Sequence, residues 1–246
     1  MCEDPSVLTE RIAAVDWAAI PTPVLRVPPC AAERFPHGWR LPSPVAPLQA
    51  LATARNQVQV AEAMTRLQNT SILHGHMAAV FPAAVAAAPL LLDIAEEPDA
   101  HPLARDSALG LLSDFLALNP FAEFNRVDGT PLCCAVAELI RARRPFLRSL
   151  GKRGRTLLRE TDDHWRFEVG EVLPDAGRPF VFGMLDGRLP GPAVRVEIQH
   201  NGAQCLASVE YQPESESGDA CVRLDDSAEV AVGAVLRPAE CGEREH

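Results

Sequence analysis

Aromatic residues make up only 5% of this chain, and tyrosine occurs once. A core short of aromatics must be built from alanine and leucine, which favours helix packing. Long apolar runs are also lacking. The stretch from Met77 to Leu92 carries no charge, but Pro82 and Pro89 interrupt it and Asp93 ends it. It falls short of the roughly 20 apolar residues a membrane-spanning helix needs. The N-terminus "MCEDPSVLTERIAAVDW" has acidic residues where a signal peptide would carry positive charge, which points to a cytoplasmic protein. No C-x-x-C spacing occurs among the seven cysteines. The adjacent Cys133 and Cys134 sit in an amphipathic helical pattern, so neither a structural disulfide nor zinc is expected. Net positive charge is absent as well: the formal charge is −10, which argues against a general nucleic-acid binder. G-x-S-x-G, a phosphate-binding loop and a dinucleotide fingerprint are all missing, and "LGKRGR" lacks the Ser or Thr that follows a phosphate-binding lysine. No catalytic residue, cofactor or metal is assigned.

What is present is enough apolar material, 47% of 246 residues, for one large core or two small ones. A short helix is expected from Ser6 to about Ala19. The proline-rich segment from 20 to 47 reads as an extended loop, with Phe35 and Trp39 as possible anchors. Val60, Ala63, Met64 and Leu67 then recur at helical spacing. The stretch from Ile72 reads as a bent helix ending near Glu97, containing Pro82 and Pro89. Another helix is expected from Pro102, with Ala108, Leu111, Leu112, Phe115 and Leu116 on one face, stopped by Pro120. Thr130 and Pro131 open the last helix, which carries Leu132, Ala135, Val136, Leu139 and Ile140 on one side and meets Pro145.

After about Thr156 the period changes to two. "HWRFEV" alternates Trp165, Phe167 and Val169, and "PFVFGML" alternates Phe180, Phe182 and Met184, so both are expected strands whose aromatics form the sheet's core. In "VRVEIQHNGAQCLASVEY" the pair Asn201-Gly202 suits a two-residue type I′ turn. That turn pairs Ile198 with Cys205, Val196 with Ala207 and Val194 with Val209. "CVRL" and "AEVAVGAVL" offer two further strands, and the final "CGEREH" is expected to fray.

Successive amphipathic helices with proline-punctuated connections suggest a stacked array. "AEAMTRLQNTSILHGHMAAVFPAAVAAAPLLLDIAEE" resembles a recurrent segment of bacterial HEAT-repeat-like proteins, in which a helix leads through a His/Gly turn into an Ala-rich helix with an internal proline. "ARDSALGLL" is similar to the family's second-helix pattern through Arg105, Ala108 and Leu112, and "DWAAIP" also resembles this group. The resemblance covers roughly Asp16 to Leu118. It implies a non-enzymatic protein-interaction scaffold of bacterial type; some proteins of this kind are proposed as immunity or accessory proteins of toxin systems. The expected fold class is therefore α+β: a HEAT-like helical domain at 1–155, then an antiparallel β domain at 156–240 with an acidic linker near 212–220.

Four features compete as sites. The basic cluster Arg141, Arg143, Arg144, Arg148, Lys152, Arg153 and Arg155, followed by Arg159, offers a surface for an unidentified, acidic protein partner. Its plainer reading is helix-dipole compensation and pairing with the chain's own carboxylates, the acidic tail first. The alternative function is a metal-dependent hydrolase using His74 and His76, against a helix-ending turn capped by Gly75. Asp162, Asp163 and His164 read as a solvated connector, because neighbouring side chains point apart. A small-ligand or carbohydrate site on the sheet is the remaining possibility.

Overall fold

Alanine and leucine recur at helical spacing through the first two-thirds of the chain, and the structure, a computed structural model, places helices there. It describes residues 5–25, 38–175, 178–211, 218–225 and 229–245. In chain order the first part contains α1 (Pro5–Ala14), β1 (Val24–Leu25), β2 (Trp39–Arg40), α2 (Val45–Thr53), α3 (Gln57–Leu67), β3 (Leu73–His74) and β4 (Ala79–Val80). There follow α4 (Ala83–Glu96), α5 (Pro102–Ala117), β5 (Asn119–Pro120), β6 (Arg126–Val127), β7 (Thr130–Pro131), α6 (Leu132–Ala142), α7 (Arg144–Ser149) and α8 (Lys152–Glu160). One apolar cluster, from Leu8 and Ile12 through Leu91, Leu112 and Phe115 to Ile140 and Leu157, joins these helices. Among the described residues no helix is long and apolar enough to cross a membrane.

Several expectations shift. α2 begins at Val45 and carries Pro47 in its first turn, where a missing N–H costs nothing, so the expected loop ends sooner; residues 26–37, Phe35 among them, lie outside the described residues. The helix expected from Ile72 starts only at Ala83. Ahead of it the backbone finds sheet partners instead, because β4 pairs with β3 on one side and with β5 on the other. Gly75 is not a helix cap: it opens a short 3-10 turn, and Ala78 takes the left-handed conformation at φ 49°. Pro89 lies inside α4 without ending it. Pro145 does break the chain between α6 and α7, as its ring and missing donor require. α8 runs to Glu160, past the expected change near Thr156.

The second part is a closed six-stranded antiparallel barrel, so the molecule is α+β. Its strands are β8 (Arg166–Leu173), β9 (Phe180–Asp186), β10 (Ala193–His200), β11 (Ala203–Tyr211), β12 (Gly218–Leu224) and β13 (Val235–Pro238), followed by α9 (Ala239–Glu243). The order around the barrel is β10-β11-β12-β9-β8-β13, closing where β13 meets β10. The β10–β11 hairpin has the expected register, Ile198 opposite Cys205, Val196 opposite Ala207 and Val194 opposite Val209. Asn201 and Gly202 turn it at φ 49° and 78°. Of the proposed acidic linker, residues 212–217 lie outside the described residues and Gly218–Ala220 belong to β12.

In β9 the opposite phase points inward. Val181 and Leu185 are buried, whereas Phe182 is 39% and Met184 53% exposed. A six-stranded barrel is narrow inside, and Trp165 and Phe167 already fill it with Val169 and Leu236. Gly183 faces that crowded interior, where a Cβ would collide with the Glu168 backbone and press on the Phe167 ring. Phe180 instead lies half-buried under the Arg223 guanidinium, 5.0 Å from its ring centre.

Candidate functional site

The basic cluster divides once it is folded. Arg141 is buried on α6: Nη1 donates to the carbonyls of Thr161 (2.8 Å) and His164 (3.2 Å), and Nε lies 3.0 Å from Asp186. Burial pulls its pKa down from the usual arginine value, with Asp186 and Glu138 opposing. Arg141 is therefore removed from any partner surface. Arg143 bridges Asp93 and Glu96 at 2.7 and 2.6 Å, Arg144 holds Asp186 at 2.7 Å, and Arg153 pairs with Asp106. Those carboxylates come from α4, α5 and β9; none belongs to the acidic tail that the sequence suggested. Arg148, Lys152, Arg155 and Arg159 differ: all are exposed and none pairs with a carboxylate among the described residues. On α8, Lys152, Arg155 and Arg159 share a face by helical spacing. Gly154 sits on the opposite side, where a Cβ would strike the Leu147 carbonyl, so α8 packs tightly on α7 and presents these cations on a fixed support.

His74 is buried at the end of β3, edge-on to Trp39 with ring centres 5.4 Å apart. Its Nδ1 accepts the Met77 N–H at 3.3 Å. Burial, and then the neighbouring His76, lower its pKa from 6.5. The two rings are 6.1 Å apart, and among the described residues no His, Cys, Asp or Glu completes a three-ligand group with them.

A grouping that the spacing of the cysteines concealed lies where α6 meets the barrel. Cys133 and Cys134 in the first turn of α6, His164 at the end of the 3-10 turn Thr161–His164, and Cys241 on α9 bring their ligand atoms within 4.8 Å of one another. All four side chains are buried, and His164 Nδ1 is 3.3 Å from Cys241 Sγ. The three thiols form a small cluster of their own between the helical and barrel cores. Cys134 and Cys241 hydrogen-bond to Cys133 and hold its thiol well below the ordinary value; the same contact, with burial, pushes the other two up. The helix N-terminus adds a favourable field for thiolate.

Supports for this group come from all sides. Arg141 fixes the carbonyl of His164 with both terminal nitrogens, each at 3.2 Å. Asn125 donates to the Gly242 carbonyl at 2.9 Å, and Arg126 holds the buried Glu197 with one contact at 2.8 Å. Gly242 must be small there, because a Cβ would run into that ion pair. Arg244 donates to the carbonyls of Leu116, Ala117 and Leu118, so "CGERE" is docked and does not fray. The connector containing Asp162 and Asp163 is only partly solvated: His164 and Thr161 are buried, and burial raises the Asp162 pKa. The clue available in the sequence was the Cys-Cys pair beside Pro131; that Cys241 and His164 would meet it depends on tertiary structure.

Compared with known proteins, the chain matches no family model, no curated protein and no solved structure.

Proposed function

We propose that the protein is a non-enzymatic interaction protein, its helices a HEAT-like stack of bacterial type, which holds an acidic protein partner on α7 and α8. The observation that carries this reading is the set of exposed cations Arg148, Lys152, Arg155 and Arg159, which have no carboxylate partner among the described residues although the chain is strongly acidic. Neighbouring arginines find internal carboxylates; these four remain available. Cations concentrated on one face of an acidic molecule steer and orient an acidic partner. An immunity or accessory role in a toxin system fits such a partner-holding device.

The test compares wild-type protein with Arg148→Glu/Lys152→Glu/Arg155→Glu in native capture from the host lysate, at low and raised salt. The expected result is a stoichiometric acidic protein whose capture weakens with salt and falls by about tenfold or more in the triple variant. Undiminished capture by the variant would remove the patch from the interface. A metal-dependent hydrolase would instead show a bound metal that is lost in His76→Ala and retained in Cys241→Ser.

A further inference from the structure

We infer that Cys133, Cys134, His164 and Cys241 hold one zinc ion, which staples the helical part to the barrel. The donor set is three cysteines and one histidine, a combination that structural zinc sites use with four protein ligands and no open position. With Zn–S near 2.3 Å, a tetrahedron places its sulfurs about 3.8 Å apart. The four ligand atoms lie within 4.8 Å of one another, and the nitrogen–sulfur separation is 3.3 Å. That spacing suits a single ion. Soft thiolate and imidazole ligands select zinc over magnesium or calcium.

The surroundings fit the charge such a site would carry. Three thiolates around Zn²⁺ leave one net negative charge, which is costly to bury alone. The guanidiniums of Arg126, Arg141 and Arg237 act electrostatically on these cysteines. Arg141 also fixes the backbone of the ligand His164, the kind of outer contact that orients a metal's ligands. The ligands come from three elements far apart in sequence: α6, the turn that leads into β8, and the helix that follows β13. One ion would therefore join the start of α6, the turn that enters the barrel and the helix that follows the barrel's closing strand. With all four positions taken by buried side chains, its role is structural and leaves no place for substrate.

Two features argue against thiols that merely pack. Three cysteines and a histidine converge at one point, and the group lies apart from both apolar cores. Binding releases the thiol protons to water as three S–Zn bonds and one N–Zn bond form, so no oxidant is required.

The test is elemental analysis of the full-length protein purified under reducing conditions, followed by cobalt replacement. About one zinc per chain is expected, with the intense absorption of tetrahedral cobalt thiolate after exchange. Cys241→Ser, which changes a ligand outside the α6 core, is expected to lose most of the metal, and His76→Ala to keep it. Should Cys241→Ser fail to fold, the wild-type cobalt spectrum still decides. Reduced wild-type protein that takes up neither zinc nor cobalt overturns the inference, as does a disulfide among these cysteines or iron in place of zinc. None of these outcomes depends on the partner-binding patch.

Discussion

A buried histidine resists protonation, and His74 does so with consequences that can be measured. Its pKa lies below 6.5, first because it is buried and then because of His76. As pH falls below 6.5, the unfolded chain takes up a proton that the folded one refuses. The stability contributed by neutral His74 is thus complete above 6.5 and is lost as pH drops through the lower folded value. His74→Asn keeps an acceptor for the Met77 N–H but does not titrate. Urea unfolding of the two proteins from about pH 7.5 to about pH 5 is expected to show a shallower acid decline for the variant. Equal declines would place the acid sensitivity elsewhere.

At the scale of elements, the C-terminus of α5 depends on a residue more than a hundred positions away. The carbonyls of Leu116, Ala117 and Leu118 at the helix end accept from Arg244, which meets both their hydrogen-bonding need and the negative end of the helix dipole. Arg244→Ala is expected to lower unfolding stability by about 1–3 kcal/mol, read from the urea midpoint at constant slope. How far such elements could be read from sequence followed the range of the forces that set them. The β10–β11 register was legible because turn chemistry and alternation act within a few residues. The faces of α5 and α3 were legible because each has one buried side. α6 was half legible: Leu132, Val136 and Ile140 meet the helical core as expected, and Ala137 joins them, but Cys133 is buried with Cys241 and Arg141 against His164 and Asp186 on another side. A helix held between two layers loses the one-sided pattern that sequence reading relies on. β9 failed for a related reason, since Val181 and Leu185 alternate as regularly as Phe180 and Phe182, and only the barrel's narrow interior chooses between them. The basic cluster was visible at once; which of its members would be taken by Asp93, Asp106 and Asp186 was not.

Across the whole molecule, the helical part and the barrel meet through ion pairs more than through shared apolar core. Arg126 with Glu197, Arg144 with Asp186, and Arg237 with Glu138 each join one part to the other. The last is the most exposed to loss, because Arg237 is buried while Glu138 is partly open. Removing the carboxylate leaves a buried cation whose remaining side-chain hydrogen bond, among the described residues, is to the neutral Gln199. Glu138→Ala is expected to cost about 3 kcal/mol of stability in denaturant unfolding, and a loss near zero would mean that water already solvates Arg237. Barrel closure has a further effect on how the protein is made. β8 pairs with β13, Phe167 facing Leu236, although all the other strands are synthesised between them. At about 5–20 residues per second, a ribosome needs roughly 3–12 s to pass from the end of β8 to the start of β13. Until β13 is made, β8 and, once synthesised, β10 each have an open edge, the arrangement most prone to pairing with another chain. The barrel's exposure to such pairing during synthesis therefore ends only when β13 has been made.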